Sequence, residues 1–492
     1  MLMDEFVVDE SVLERTIERA REKNIIIPTY EEMRNPEKIP QGIKDELKEI
    51  GLWDVHPRNL FRITWKNEPT KFGGGFNGVN YVELPKELTG VKARIFILIG
   101  KFFPTGSHKV GATFGPLVEK LVRGKFDPTR QKALWPSTGN YCRGGAFNSA
   151  LLDCKAIAVL PEGMSKERFE WLKSIGAEIY ATPGVESNVK EVFDKTKELK
   201  SKYPDEVVVL NQFEDFGNPV WHYAVTGPAM EEVFENNKKE GDKLTAIFLT
   251  QGSGGTLGSA NYLRNKFPKI KVGAGEALQC PTLLYNGFGG HRIEGIGDKH
   301  VPWVIDVKNL DMVVDVDDEF TMHILRLFNE PKGREFLKRF VDEEIVDKLD
   351  LFGISSIANI VGAIKMAKYY ETTEHDFIFT VATDSMELYQ SRIHELREQY
   401  GDYSEVNATA DFERYLMGIS TDWMIEMTYY DKKRMHNLKY FTWVEQQGKT
   451  VEELNEQWYN EGYFIEKLES YKKWDEYIRD FNEKVGLIKK YK

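Results

Sequence analysis

The chain has 492 residues, 41% hydrophobic and 29% charged, with 66 basic against 78 acidic side chains and a net charge of −12. That composition suits a globular protein with enough chain for two or more separately packed lobes, and an acidic chain without a basic run is a poor partner for nucleic acid or an anionic membrane. No hydrophobic run reaches the roughly 18 residues of a membrane span, and the acidic start lacks the basic-then-apolar order of a secretory leader.

Residues 1–55 read as charged helices broken by turns at Pro28, Pro36 and Pro40. The middle of the chain alternates short apolar runs with amphipathic stretches. "ARIFILIG" (93–100) predicts a strand, and "VGATFGPLVEKLVRG" a helix after it. "CKAIAVL" (154–160), "SKERFEWLKSIGA" and "EIYAT" predict strand, helix and strand. "TAIFLT" (245–250) predicts a strand running into "QGSGG", then a helix over "TLGSANYLRNKF" and a strand over "IKVGAGEAL". This alternation implies an α/β protein with parallel sheets and helical crossovers. From residue 396 onward 19 of 97 residues are aromatic, and apolar positions recur at helical spacing. Thr450 and Glu453 form a capping-box pattern. The expected organisation is a helical N-terminal extension (1–55), a catalytic unit of two α/β subdomains (56–395, the smaller around 105–205) and an aromatic-rich helical C-terminal extension (396–492).

Four stretches carry chemistry. In "FFPTGSHKVGATFGP", Lys109 stands behind a small polar turn at a helix start. A lysine held there and partly desolvated can condense with an aldehyde, although most lysines are merely solvated. "QGSGGTLG" (251–258) follows a strand and opens a helix. Its successive N–H groups and the helix N-terminus make an anion cup, with a plain tight turn as the alternative. It is neither a Walker loop nor G-x-G-x-x-G. "WPSTGNYCRGGA" (135–146) places Ser137, Thr138, Gly139 and Asn140 in a polar loop that can bind a carboxylate or simply cap a helix. "FTVATDSMELY" (379–389) is a strand ending in Thr383, Asp384 and Ser385. Cys142, Cys154 and Cys280 have neither metal-ligand nor paired spacing, and no metal constellation is visible, which fits a reducing cytoplasm.

An imine-forming lysine, a phosphate cup and a carboxylate loop together suggest pyridoxal 5'-phosphate acting on an amino acid. The chain resembles the fold-type-II pyridoxal-phosphate family of cysteine synthase, cystathionine β-synthase, threonine synthase and the tryptophan synthase β chain. The resemblance rests on motifs in family order over roughly residues 56–395: "NEPT", "PTGSHK", "STGN", "LPEGMSKERFEWLKSIGAEIYAT", "NQFEDFGNPVWHYAVTGP", "GSGGT", "HRIEGIGDKHVPWVID" and "FGISS". It points most to the cysteine synthase and cystathionine β-synthase branch. Gly111 stands where many cysteine synthases have Arg, and the His108–Lys109 pair is more like the tryptophan synthase β chain. That enzyme's catalytic glutamate loop is replaced here by "STGNYCRGGA".

The resemblance implies a tryptophan synthase β-like fold and a role for each matching residue. Lys109 would hold the cofactor as an internal aldimine and later move the substrate's α-proton. Gly252, Ser253, Gly254, Gly255 and Thr256 would hold the phosphate, and Asn140 would bond the 3′ oxygen. Ser137, Thr138, Gly139 and Gln212 would grip the substrate carboxylate, with Gly295 beside its amino group. Ser385 would face the pyridine nitrogen, with Asp384 as its rival. A hydroxyl there does not force the nitrogen to stay protonated, which favours expulsion of a β-leaving group over transamination. The implied activity is β-elimination or β-replacement on a serine- or cysteine-like amino acid through an α-aminoacrylate, as in a cysteine synthase or cysteine desulfhydrase. The alternatives are a threonine synthase or serine/threonine dehydratase, and a non-catalytic relative acting as a binding subunit. Cys142 is either packing or substrate-facing, and His222 and His291 read as structural. The family points to a cytoplasmic homodimer or higher homo-oligomer.

Overall fold

A computed structural model describes residues 8–69, 74–137, 139–164, 166–184 and 188–491. Two compact units divide the chain: one draws on Met1–Gly78, Phe102–Ala229 and Gly462–Lys492, the other on Val79–Lys101 and Met230–Glu461. Among the described residues the strands, numbered in chain order, are β1 (Tyr81–Leu84), β2 (Arg94–Ile99), β3 (Lys132–Pro136), β4 (Lys155–Pro161), β5 (Glu178–Thr182), β6 (Val207–Val209), β7 (Lys243–Thr250), β8 (Lys271–Ala277), β9 (Met312–Val316), β10 (Asp376–Ala382) and β11 (Met424–Glu426).

The first unit is built on a four-stranded sheet in the order β5-β4-β3-β6, parallel throughout. Its strands are near-continuous apolar runs, as expected where helices cover a parallel sheet. Leu134, Ile157, Val159 and Val207 pack there with Val192 and Leu199 of the helix Val189–Lys202. The two chain ends are clipped together within this unit. Asn482 exchanges hydrogen bonds with the backbone of Ile27 in both directions, at 3.0 and 2.7 Å. Asp475 accepts from the N–H groups of Tyr30 (2.7 Å) and Glu31 (3.2 Å).

The second unit holds a seven-stranded sheet in the order β1-β2-β10-β7-β8-β9-β11. Its five inner strands are parallel, as the alternation of the sequence predicts. Both edges are antiparallel, because β1 returns to β2 through a short turn and β11 arrives from the C-terminal segment. The helix Ile354–Tyr369 is buried over most of its length. Its Asn359 accepts from the N–H of Thr250 and donates to the carbonyl of Val381, both at 2.8 Å. One side chain thereby fixes the C-terminal ends of β7 and β10. Residues 396–461 pack in this unit, whereas 462 onward belong to the first. The Thr450–Glu453 capping box forms as predicted: Glu453 N–H donates to Thr450 Oγ1 (3.1 Å) and Thr450 N–H to Glu453 Oε2 (2.8 Å). No helix among the described residues is long and apolar enough to cross a membrane.

Candidate functional site

In the first unit, two consecutive left-handed residues, Thr105 (φ 66°) and Gly106 (φ 67°), turn the chain into the helix Lys109–Val122. Ser107 Oγ accepts from the N–H of Lys109 at 3.3 Å, so an orphan donor of the first turn is capped locally. Lys109 is half-buried, and the residues before it, from Phe103 to His108, are buried. His108 is fully buried and has no hydrogen-bond partner on either ring nitrogen among the described residues. Burial, assisted by the neighbouring Lys109, pushes it down to about 3, so its ring is neutral. It packs 5.5 Å from Trp65 and edge-on, at 5.0 Å, to His222. Trp65 Nε1 donates to Thr226 Oγ1 (3.0 Å), leaving the threonine proton for Nδ1 of His222 at 2.9 Å. Burial also holds His222 well below its ordinary range. These neutral rings form a dry floor under the start of the lysine helix. Gly111 lies beneath Trp221: a Cβ there would fall 2.1 Å from the indole Cε2, so no side chain fits at this position.

The second predicted loop of this unit leaves β3 and enters the helix Asn140–Leu151. Ser137 N–H donates to the carbonyl of Val159 at 3.0 Å, extending the ladder by one residue. Ser137 Oγ accepts from the N–H of Gly139 (3.1 Å) and from Gln212 Nε2 (3.3 Å), bringing Ser137, Gly139 and Gln212 together. Asn218 Nδ2 holds the Gln212 carbonyl at 3.0 Å. Asn140 is half-buried in the first turn. Thr138 lies outside the described residues. Cys142 is buried and its thiol donates to the Gly139 carbonyl at 2.9 Å, a packing role inside the loop. This helix is fastened along its length to the start of the lysine helix. Asn148 Nδ2 donates to the Val110 carbonyl (2.7 Å) and to Thr113 Oγ1 (2.8 Å), and Gly144 packs on the Lys109 carbonyl. Lys109 and the Ser137–Gly139–Gln212 cluster therefore belong to one rigid piece of the first unit.

In the second unit, β7 ends in the glycine loop 251–256 before the helix Leu257–Lys266. Gln251 N–H donates to the Gly275 carbonyl (2.6 Å), and the Gln251 carbonyl accepts from Gly297 N–H (2.8 Å). The N–H groups of Gly252, Gly254 and Thr256 are not spent on backbone carbonyls among the described residues, although the loop is buried or half-buried. Amides withdrawn from bulk water need an acceptor, and three beside a helix N-terminus suit an oxyanion such as a phosphate ester. Gly254 has φ 76°, and Ser253 and Gly255 are buried beside it. Gly295 (φ 96°) adjoins Gly252, and a Cβ built on it meets nothing within 4 Å. His291 Nε2 donates to the Gly297 carbonyl at 3.1 Å, so this histidine fastens the turn.

At the end of β10, Asp384 is buried and accepts from the Tyr389 hydroxyl at 2.6 Å. Its other oxygen lies so close to Gly353 that a Cβ there would sit 1.9 Å away. Ser385 follows, also buried. Sequence reasoning missed the residues that position these loops, Asn148, Asn218 and Asn359. A polar residue inside an otherwise apolar helix, as in "ISSIANIVGA", is the signal that could have found Asn359.

A family model described as "Pyridoxal-phosphate dependent enzyme" matches residues 76–334. The chain is 31% identical over 316 residues to a cysteine synthase of Staphylococcus aureus, covering 64% of this chain and 93% of that protein. It is 30% identical over 319 residues to a cystathionine beta-synthase of Saccharomyces cerevisiae, covering 63% of this chain and 59% of the yeast protein. Among solved structures it is similar to a hydrogen sulfide-producing enzyme of Fusobacterium nucleatum, with a TM-score of 0.53, 25% identity and coverage of 63% and 95%. An O-acetylserine dependent cystathionine beta-synthase of Helicobacter pylori gives a TM-score of 0.53, 26% identity and coverage of 63% and 94%.

Proposed function

The chain belongs to the pyridoxal-phosphate dependent enzymes, and from that membership we propose that it catalyses β-elimination or β-replacement on a serine- or cysteine-like amino acid. The observation that carries the cofactor reading is the glycine loop at a helix start, where the N–H groups of Gly252, Gly254 and Thr256 meet no backbone carbonyl among the described residues. Gly252, Ser253, Gly254, Gly255 and Thr256 would hold the phosphate. When bound, pyridoxal phosphate supplies an electrophilic aldehyde carbon and a conjugated electron sink.

The protein's own residues set what is done with that chemistry. Lys109 Nζ would hold the cofactor covalently in the resting enzyme, and would afterwards take and return the proton at the substrate's Cα. The neutral His108 and His222 rings keep charge and water away from the base of that lysine. Ser137, Thr138, Gly139 and Gln212 bind the substrate carboxylate, and the Gln212–Ser137 hydrogen bond supports the grouping of two of them. Asn140 would donate to the cofactor's 3′ oxygen, and Gly295 would leave room beside the substrate amine. Ser385 would face the pyridine nitrogen. The Tyr389 hydroxyl on Asp384 supports this choice, because it engages one oxygen of the rival carboxylate. The catalytic part is residues 56–395, and the protein works as a cytoplasmic homo-oligomer, which light scattering of the purified chain would test.

Borohydride treatment followed by digestion and mass spectrometry should place a reduced pyridoxyl group on Lys109. An adduct on another lysine, or none after cofactor is added, refutes the reading. Supplying O-acetylserine, O-phosphoserine, cysteine and O-phosphohomoserine separately should give turnover with a serine or cysteine derivative. Turnover with O-phosphohomoserine alone would identify a threonine synthase instead. Asp384→Asn should keep the cofactor's spectrum and Ser385→Ala should alter it; the reverse would overturn the Ser385 assignment.

A further inference from the structure

The helices between residues 429 and 459 lie outside the residues matched by the family model, yet they reach the glycine loop through one turn of the second unit. Residues 301–305 form no helix or strand, and most of this turn is buried. Its carbonyls have no ladder to join and need donors from elsewhere. Lys439, the last residue of the helix Tyr429–Lys439, is fully buried and supplies them. Its Nζ donates to the carbonyls of Trp303 (3.0 Å) and Ile305 (2.7 Å) and to Gln457 Oε1 (2.7 Å). Three acceptors match the three N–H donors of an ammonium. Gln457 Nε2 adds a second bond to the Trp303 carbonyl (3.1 Å), and Trp443 Nε1 donates to the Val301 carbonyl (2.8 Å).

The turn in turn supports the loop. The Ile305 side chain fills the space beside Gly254, where a Cβ would fall 2.3 Å from Ile305 Cγ1. The next residue, Asp306, accepts from Asn261 Nδ2 at 3.1 Å, on the helix that the glycine loop opens. We propose that Lys439, with Gln457 and Trp443, is a positioning residue that holds the 301–305 turn against the glycine loop, so that the C-terminal helices tune the grip on the cofactor phosphate. The proposal rests on the reading of residues 252–256 as the phosphate loop. Lys439 touches no substrate and acts through Ile305 and Asp306.

The test uses the full chain, stripped of cofactor with hydroxylamine and titrated with pyridoxal phosphate. Kd is read from the absorbance and the loop environment from the 31P shift of the bound ester. Lys439→Met keeps the stem's length and removes the donors to the Ile305 carbonyl and Gln457 Oε1, while Gln457 Nε2 still serves the Trp303 carbonyl. It should weaken cofactor binding about tenfold or more and move the 31P signal. Trp443→Phe should shift both in the same direction by a smaller factor, with far-UV circular dichroism unchanged. A lowered melting temperature with wild-type Kd and 31P shift in Lys439→Met would mean that the residue is only structural, and would overturn the proposal. If Lys439→Met does not fold, Trp443→Phe decides, and a wild-type Kd and 31P signal there refute it. If the wild-type chain takes up no pyridoxal phosphate, the phosphate-loop reading fails first and this proposal falls with it.

Discussion

Asn359 offers the sharpest test of how the second unit holds its loops. Asn359→Ala removes the acceptor for Thr250 N–H and the donor for the Val381 carbonyl, both at 2.8 Å and both buried. Leaving a buried polar backbone group unpaired costs about 1–3 kcal/mol, so the two together cost roughly 2–6 kcal/mol. Water entering the vacated space would recover part of that, which places the expected loss at about 2–4 kcal/mol. The cost falls on the strand ends that carry the 251–256 loop and Asp384–Ser385. Local opening should therefore become about 30-fold to 1,000-fold more frequent there, which hydrogen exchange reads directly. Peptides spanning residues 246–252 and 378–385 should exchange faster by that factor, while peptides of the four-stranded sheet are unchanged. Cofactor affinity should fall in parallel. Asn359→Asp tests the same point differently: it keeps an acceptor for Thr250 but has no donor for Val381 and adds a buried charge, so it should rescue nothing. Exchange within about threefold of wild type in both strand-end peptides of Asn359→Ala would refute the clamp.

Glu276 and Asp315 are register partners on β8 and β9 and both are buried. Burial raises Glu276 to about 7, but the N–H groups of Leu283 and Leu284 that it accepts from favour its charged form over that of Asp315. Burial, and then the charge of Glu276, raise Asp315 far above the carboxylate range, keeping it protonated at neutral pH. The folded protein thus holds a proton on Asp315 that the unfolded chain releases above about pH 4, and stability should fall as pH rises from 5 to 8, by up to about 1.4 kcal/mol per pH unit from Asp315, with a further contribution from Glu276 below about pH 7. Asp315→Asn should flatten that slope in unfolding midpoints measured at pH 5, 6, 7 and 8; parallel profiles would contradict the shared proton. Gly111→Ala should destabilise by about 1–3 kcal/mol or more, since its Cβ meets Trp221 and overpacking exceeds the helix-propensity gain of about 1 kcal/mol. Trp221→Phe should relieve part of that loss in a double-mutant cycle. Thr450→Ala should cost about 1 kcal/mol through the lost cap, seen as faster exchange in the helix Val451–Tyr459 with no change in cofactor affinity.

What the sequence determined by itself is what a few neighbouring residues enforce. Apolar runs at "AIAVL" and "AIFLT" had to be strands, and the glycines after Thr250 had to form a turn, because periodicity and backbone freedom act over less than ten residues. The Thr450 cap was legible for the same reason. The order of short motifs around Lys109, Ser137, Gly252 and Ser385 pointed to the family before any contact was known. Tertiary structure alone decided which distant side chain answers each buried polar group. Asn359 meets Thr250 109 residues away, Lys439 meets Ile305 134 residues away, and Asn482 meets Ile27 across 455. The division of the C-terminal helices between two units, and Trp221 in the space above Gly111, belong to the same class. Such pairings leave no periodic trace, since they depend on which surfaces meet once the sheets have formed and on the cost of leaving a donor or acceptor dry.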